Sequence, residues 1–368
     1  MKPIQFFHTN IAKDANTKIK KLLETTLLSE GALVKEFEDQ LELNIGFKNV
    51  VTVNSGTSAL HIALLLAGVK SGDEVIIPAQ TFIATGLAVL YCGATPIFAD
   101  IQYGTGNICP DSVRTKITNR TKAIIPVHWA GLPCDMNELI ILSNEFNIVL
   151  IEDAAHALGA EYKNQIIGNV SDYTCFSFQA IKHLTTGDGG AVCCKVDEKV
   201  QKAKSLRWFG IDRKNSSPSF LGERMYDISE IGYKYHLNNY AAALGLANLS
   251  DFPSHLKRRV EISEFYNQEL NDFGGVKLFD QFTDRKSACW LYGFHVEKRE
   301  NFIQWMKSKG IPVSVVHQGI DKNSIFKGEN KNLYFQRKFD ESQIHIPLHN
   351  DIDKEQQEYI IDSIKKGW

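Results

Sequence analysis

A mostly parallel α/β sheet with helices on both faces, followed by a smaller α+β unit, is the fold this sequence predicts. Up to about Asp251, short continuous apolar runs alternate with helical patterns, as strands buried on both faces require. Beyond it a long charged helix and more scattered strands take over. We therefore place a large domain at 1–249 and a small C-terminal domain at 250–368.

Taken in order, NVVTVN is a strand, and Ser55-Gly56-Thr57-Ser58 leads into a helix over Thr57–Ala67. EVIIP, TPIFAD, KAIIPV and IVLIED are further strands, with helices near Thr81–Tyr91 and Asn137–Phe146. CFSFQAI is a strand-like run that delivers Lys182 into a polar turn closed by glycines. In the second part, a helix near Ser254–Phe273 precedes the strand ACWLYGFHVE, a helix over Arg299–Lys309, the strands IPVSVVH and IHIPL, and the closing helix DKEQQEYIIDSIKK. KNLYFQ at 331–336 resembles a protease-tag site but lacks the leading glutamate, and it reads as native sequence.

Composition excludes several roles. Of 368 residues, 43% are hydrophobic and 23% charged, enough to build two cores. The formal charge of −2 provides no global field for nucleic acid or an anionic membrane, so any anion must be gripped locally. The opening MKPIQFFHTNIAKDA has no signal-peptide h-region, and IALLLAGV at 62–69 is far too short to span a bilayer, which makes the cytoplasm the expected location. Seven cysteines (92, 109, 134, 175, 193, 194, 289) form no CxxC pair and suit reduced, packed thiols better than disulfides or a zinc site.

The chemistry gathers at strand ends. Ser55 to Ser58 offer hydroxyls, free backbone N–H groups and the positive end of a helix dipole, a phosphate cradle, although an ordinary N-cap is the simpler reading of that segment alone. Phe82 follows a strand, where its ring suits either a planar ligand or the core. Asp153 ends IVLIED with His156 one turn on, and a carboxylate there must be paired, hydrated or bound to a cation. Glu152 should point to the other side of the strand, so no metal cluster is expected. Lys182 is costly to desolvate unless it is paired or chemically employed. In open α/β folds ligands sit at strand carboxyl ends, so these places can share one pocket. A phosphate anchor, a stacking wall, a carboxylate for a pyridinium N–H and an isolated amine are together what pyridoxal phosphate needs.

The segments VNSGTSALHIAL, IIPAQTFIATGLAVLYCGATPIFAD, VHWAGLPCDM, IEDAAHALGA, FSFQAIKHLTTGDGG and GYKYHLNNYAAALGLANL resemble, in order and spacing, the DegT/DnrJ/EryC1/StrS sugar-nucleotide aminotransferases of pyridoxal-phosphate fold type I. The resemblance implies Lys182 as the internal-aldimine lysine, Asp153 as the pyridine partner and Phe82 as the stacking ring. It implies Gly56, Thr57, Ser58 and Ser177 at the phosphate, and His156 beside the cofactor's phenolic side. It also implies that Gly232–Asn239, through His236 or Asn238, reaches the neighbouring subunit's cofactor, and hence a homodimer with shared sites. Some relatives that act as dehydratases carry histidine in place of the lysine; this chain keeps Lys182 and adds His183. Gln179 and SVVHQGIDKNSIF depart from the usual pattern, leaving His317, His183, Arg207 and Arg213 as candidate substrate contacts, with solvated, core or surface ion-pairing roles as their alternatives.

The function so implied is transfer of an amino group, from L-glutamate, to a nucleotide-linked 4-keto-6-deoxy sugar in surface-polysaccharide or related sugar biosynthesis. A smaller phosphorylated ketone is an alternative acceptor. A non-catalytic cofactor-binding regulator is the alternative from another class; the retained Lys182 and the lack of a basic stripe argue against it.

Overall fold

The computed structural model describes residues 2–213, 215–328 and 332–368. Its main sheet has seven strands: β1 (Val50–Val53), β2 (Glu74–Pro78), β3 (Thr95–Ala99), β4 (Thr121–Ile124), β5 (Val149–Asp153), β6 (Tyr173–Ser177) and β7 (Gly190–Cys194). Across the sheet they run β1-β7-β6-β5-β4-β2-β3. From β6 to β3 all neighbours are parallel, with Ile151 opposite Tyr173 and Ile76 opposite Ile124. Only β7 runs against its neighbours.

Successive apolar residues explain why the strands read as unbroken runs. Val50, Ile76, Ile124 and Leu150 face one core, shared with helices Ala32–Ile45, Met136–Phe146 and Asn239–Leu249. Val51, Val75, Ile77, Ile125 and Ile151 face the other, under helices Gly56–Leu66 and Ile83–Tyr91. The period of two sends neighbours to opposite faces, and both faces are dry.

A second sheet holds β8 (Val276–Leu278), β9 (Tyr292–Val296) and β10 (Gln343–Ile346), antiparallel in that order. Helices Arg299–Ser308 and Lys354–Lys365 complete its core. Helix Phe252–Leu270 serves both regions: Phe252 and Leu256 pack into the first core, Ile262, Tyr266 and Leu270 into the last. Lys331 of KNLYFQ lies outside the described residues, and Tyr334 opens helix Tyr334–Ser342.

The expected strand IPVSVVH is not one. It makes a single bridge, Ser314 to His345, and then turns, because Val316 takes the left-handed conformation at φ 56° and breaks the ladder. Lys182 likewise does not continue a strand: β6 ends at Ser177, and the Lys182 amide donates to the Gln179 carbonyl at 2.9 Å in the following turn. All seven cysteines are unpaired, and five are buried. Among the described residues, no helix is long and apolar enough to cross a membrane.

Candidate active site

The carboxyl ends of β1, β2, β5 and β6 open onto one cavity of about 500 Å³. Gly56, Thr57, Phe82, Asp153, His156, Ser177, Lys182 and His317 all line it.

At the end of β1, Ser55 caps helix Gly56–Leu66 by accepting from Ser58 N at 3.1 Å. The first intrahelical bond starts at Ala59 N, so the amides of Gly56 and Thr57 remain for a ligand. The glycines are demanded by close approach: a Cβ on Gly190 would lie 2.7 Å from Gly56 N, and one on Gly56 3.0 Å from Ser177 Cβ. Ser58 does not join this cradle. Its hydroxyl is buried and donates to Asn54 Oδ1 at 2.7 Å, a loop bond that removes it from the expected phosphate contact.

On β5 the two carboxylates separate as the strand period predicts. Glu152 is wholly buried away from the cavity, with Oε2 2.8 Å from His128 Nε2 and Oε1 receiving the hydroxyls of Ser171 and Thr174. The Cys134 amide donates to His128 Nδ1, so Nε2 carries the imidazole proton. Asp153 faces the cavity. Its Oδ2 accepts from Thr85 Oγ1 at 2.7 Å, and Thr85 is itself within 2.7 Å of Thr81 Oγ1. Burial raises its pKa above the ordinary value, only partly countered by Thr85, the Ala155 amide and Lys182.

Lys182 sits across the cavity with Nζ 3.7 Å from the centroid of the Trp290 ring. Burial pushes its pKa down to about 7, against the pull of Asp153. His156 stacks on Trp290 at 3.7 Å between centroids and is kept neutral, by burial first and by Lys182 second. Its Nδ1 is buried without a partner. Phe82 is 52% exposed at the start of helix Ile83–Tyr91, 5.2 Å from the His317 ring, so its ring borders the cavity and not the core. His317 is lowered to about 4 by burial and then by Lys182, and it too is neutral.

Other expected contacts belong elsewhere. His183 is buried, with Nε2 2.7 Å from the Ala288 carbonyl, and it packs under the site without reaching the cavity. Arg207 is buried between Glu38 and Glu30, both at 2.6 Å, and also donates to the Thr52 carbonyl, which neutralises its charge away from the cavity. Arg213 pairs with Glu30 at 3.0 Å and lies over the Trp208 ring on the surface. His236 and Asn238 lie outside this cavity: His236 meets Trp208 in a T-shaped contact, and Asn238 caps helix Asn239–Leu249 through Oδ1.

Trp290, Thr85 and the N-terminal phenylalanines are site residues that the sequence reading does not single out. Phe7 stacks on Trp290 at 5.8 Å and, with Phe6, lines the cavity. Thr9 holds this segment to the Ala180 carbonyl at 2.9 Å, while His349 and Gln356 bind the carbonyls of Gln5 and Lys2. Trp290 Nε1 donates to the Ile181 carbonyl at 3.0 Å. These are contacts between distant parts of the chain and carry no local sequence signal; only Thr85, one helical turn beyond Thr81, could have been sought.

Residues 9–365 match the model of the DegT/DnrJ/EryC1/StrS aminotransferase family. The chain belongs to that family. It is accordingly a pyridoxal-phosphate-dependent transaminase with the type I fold. It is 31% identical over 370 residues to a GDP-perosamine synthase of Escherichia coli O157:H7, covering 100% of this chain and 99% of that protein. It is 33% identical over 386 residues to the UDP-4-amino-4,6-dideoxy-N-acetyl-β-L-altrosamine transaminase of Campylobacter jejuni, covering 99% of each. A sugar aminotransferase structure of Streptococcus pneumoniae in its PLP form superposes with a TM-score of 0.91 at 31% identity, covering 99% of this chain and 98% of that one. The cavity fits the cofactor: unused amides at a helix N-terminus, an orphaned imidazole nitrogen, a carboxylate short of a cation and a weakly basic lysine all face it.

Proposed function

We propose that this chain acts as a cytoplasmic homodimer that transfers the amino group of L-glutamate to C4 of a nucleotide-linked 4-keto-6-deoxy sugar, in surface-polysaccharide or related sugar biosynthesis. The carrying observation is Lys182, an amine lowered to about 7 in a cavity that also holds Asp153. The names of the two relatives support the acceptor class, since one product carries GDP and the other is a UDP-linked 4-amino-4,6-dideoxy sugar.

Pyridoxal phosphate supplies an aldehyde for amine capture and a ring that takes up the electron pair left when a Cα–H bond breaks. Lys182 Nζ, partly unprotonated at neutral pH, holds the cofactor between turnovers, takes the donor's Cα proton and returns one to the acceptor carbon. Asp153 pairs with the ring N–H, and Thr85 fixes the carboxylate's orientation through Oδ2. Phe82 gives a stacking face, and His156 Nδ1 is available to the phenolic side. The Gly56 and Thr57 amides, with the Ser55, Thr57 and Ser177 hydroxyls, hold the phosphate. His317, neutral beside Phe82, meets the acceptor. We assign residues 1–249 to cofactor binding and 250–368 to a smaller domain that supplies Trp290 and His317.

The homodimer is supported by a surface that would be costly to leave in water: Phe220, Leu221 and Ile231 are almost wholly exposed, close in sequence to His236 and Asn238. In the dimer His236 or Asn238 contacts the neighbouring subunit's cofactor phosphate.

The test is turnover of GDP- and UDP-linked 4-keto-6-deoxyhexoses, alongside small keto phosphates, with L-glutamate, following product mass. An aminated nucleotide sugar is expected; amination of keto phosphates alone would overturn the acceptor class. Mixing Lys182→Ala subunits with subunits carrying His236→Ala and Asn238→Ala should restore part of the activity, because one site of the mixed dimer keeps its lysine and intact donors. No recovery despite subunit exchange would rule out the shared site.

A further inference from the structure

The residue before His317 is in a conformation that a β-branched side chain rarely adopts. Val316 has φ 56°, where its Cβ crowds the backbone, and such a state persists only when its surroundings over-determine it. Those surroundings are visible. The His317 carbonyl accepts from Gln343 Nε2 at 2.9 Å and from Gln80 Nε2 at 3.1 Å. A carbonyl has two lone pairs, and here both are filled. The donors come from different regions: Gln80 follows β2 on the cofactor side, and Gln343 opens β10. Both are completely buried.

The clamp is held from behind as well. Gln336 Nε2 donates to Gln80 Oε1 at 2.8 Å and to Asp340 Oδ1 at 3.0 Å, and Asp340 Oδ1 also accepts from the Gly319 amide. Before the turn, Ser314 exchanges backbone bonds with His345 and its hydroxyl accepts from the Val316 amide at 3.0 Å. Past it, the Ile320 amide donates to the Ala79 carbonyl at 2.9 Å, next to Gln80. Relaxing Val316 to an extended conformation would swing the chain beyond it and part the His317 carbonyl from the two buried glutamine amides. The turn sends the His317 ring to the cavity, 5.2 Å from Phe82.

We propose that Gln80 and Gln343 are positioning residues for the acceptor: donating together to one carbonyl, they hold the left-handed turn that presents His317 beside Phe82. This rests on reading the cavity as the aminotransferase site with His317 at the acceptor.

The test uses the holoenzyme with Gln80→Met, Gln343→Met and His317→Ala, singly and combined. GDP- and UDP-linked 4-keto-6-deoxyhexoses serve as acceptors and L-glutamate as donor. Each glutamine variant should raise the acceptor KM about tenfold, change kcat by less than about twofold, and leave the L-glutamate half-reaction within about twofold. In the His317→Ala background neither should cost more, since both act through that residue. Additive losses, an unchanged acceptor KM, or a His317→Ala variant with full acceptor affinity would each overturn the proposal. A crystal structure of the Gln80→Met, Gln343→Met double variant decides independently of acceptor identity. Val316 should leave the left-handed region, and its persistence there would refute the clamp. Failure of every acceptor to react while Val316 still moves would count against the proposed substrate and not against the clamp.

Discussion

Glu152 and Asp153 are consecutive on β5 and both buried, yet their surroundings treat charge in opposite ways. Burial disfavours the Glu152 carboxylate, but His128, Ser171 and Thr174 more than compensate and hold its pKa below the ordinary value. Asp153 has Thr85 and one backbone amide, too little to offset burial, and its pKa rises. A carboxylate with every acceptor position answered is structural; one left short of a cation at a cavity wall awaits a ligand. The strand places them on opposite sides, and only one side has a lysine.

The sharpest break of this contrast is Lys182→Ala. It should remove the near-visible absorbance of bound cofactor and lower turnover by about a thousandfold or more, measured spectrophotometrically and by product formation. Asp153→Asn should retain the cofactor and lose about a hundredfold in rate, because an amide cannot keep the ring nitrogen protonated. Glu152→Gln should do the reverse. It should lose about 1–3 kcal/mol in denaturant unfolding, from mismatched buried hydrogen bonds, while each folded holoenzyme stays within about twofold of the parent rate. Equal rate losses at both positions would abolish the distinction.

Titration sharpens it further in the apoprotein. Glu152, with a depressed pKa, contributes stability that is present above its unfolded-state value and lost as pH falls through the folded one. Asp153, with a raised pKa, does the opposite: stability is lost as pH climbs from the unfolded value through the folded one. Lys182 releases its proton near 7 in the fold but near 10.5 when unfolded, so between these values the unfolded chain binds more protons and stability rises with pH. Thermal melts of apo Lys182→Met should lack that rise. Smallest of the effects, Ser58→Ala should cost about 1 kcal/mol in unfolding through its lost bond to Asn54 and leave cofactor affinity unchanged; a weakened affinity would return Ser58 to the phosphate cradle.

Much of this was legible in the residues. The main sheet could be read because its strands are unbroken apolar runs, and the cavity residues because each follows such a run at its carboxyl end. The division of Glu152 from Asp153 followed from a period of two. The misreadings have one physical origin. His183 and Arg207 look like ligands because they are polar and near the motifs, but a polar group can be satisfied by a distant carbonyl or carboxylate that spacing does not show, here Ala288 and Glu38. IPVSVVH has the composition of a strand, and the bonds that fix it as a turn reach to residues as distant as Gln80 and Gln343, which its composition does not show. Trp290 was hidden for the same reason: its partner Ile181 is 109 positions away.

The strap that carries Phe6 and Phe7 has a consequence for how the cavity closes during folding. Phe6 and Phe7 wall the cavity, and apart from the Thr9 bond to Ala180 their segment is held by distant groups: Trp290 under Phe7, and His349 and Gln356 through bonds that span 344 and 354 positions. Closing this wall therefore joins segments of very large sequence separation, a long-range closure that local contacts cannot speed. A chain that has built only the seven-stranded sheet still presents a cavity without this wall, so the contacts that complete the site are not those that make the sheet.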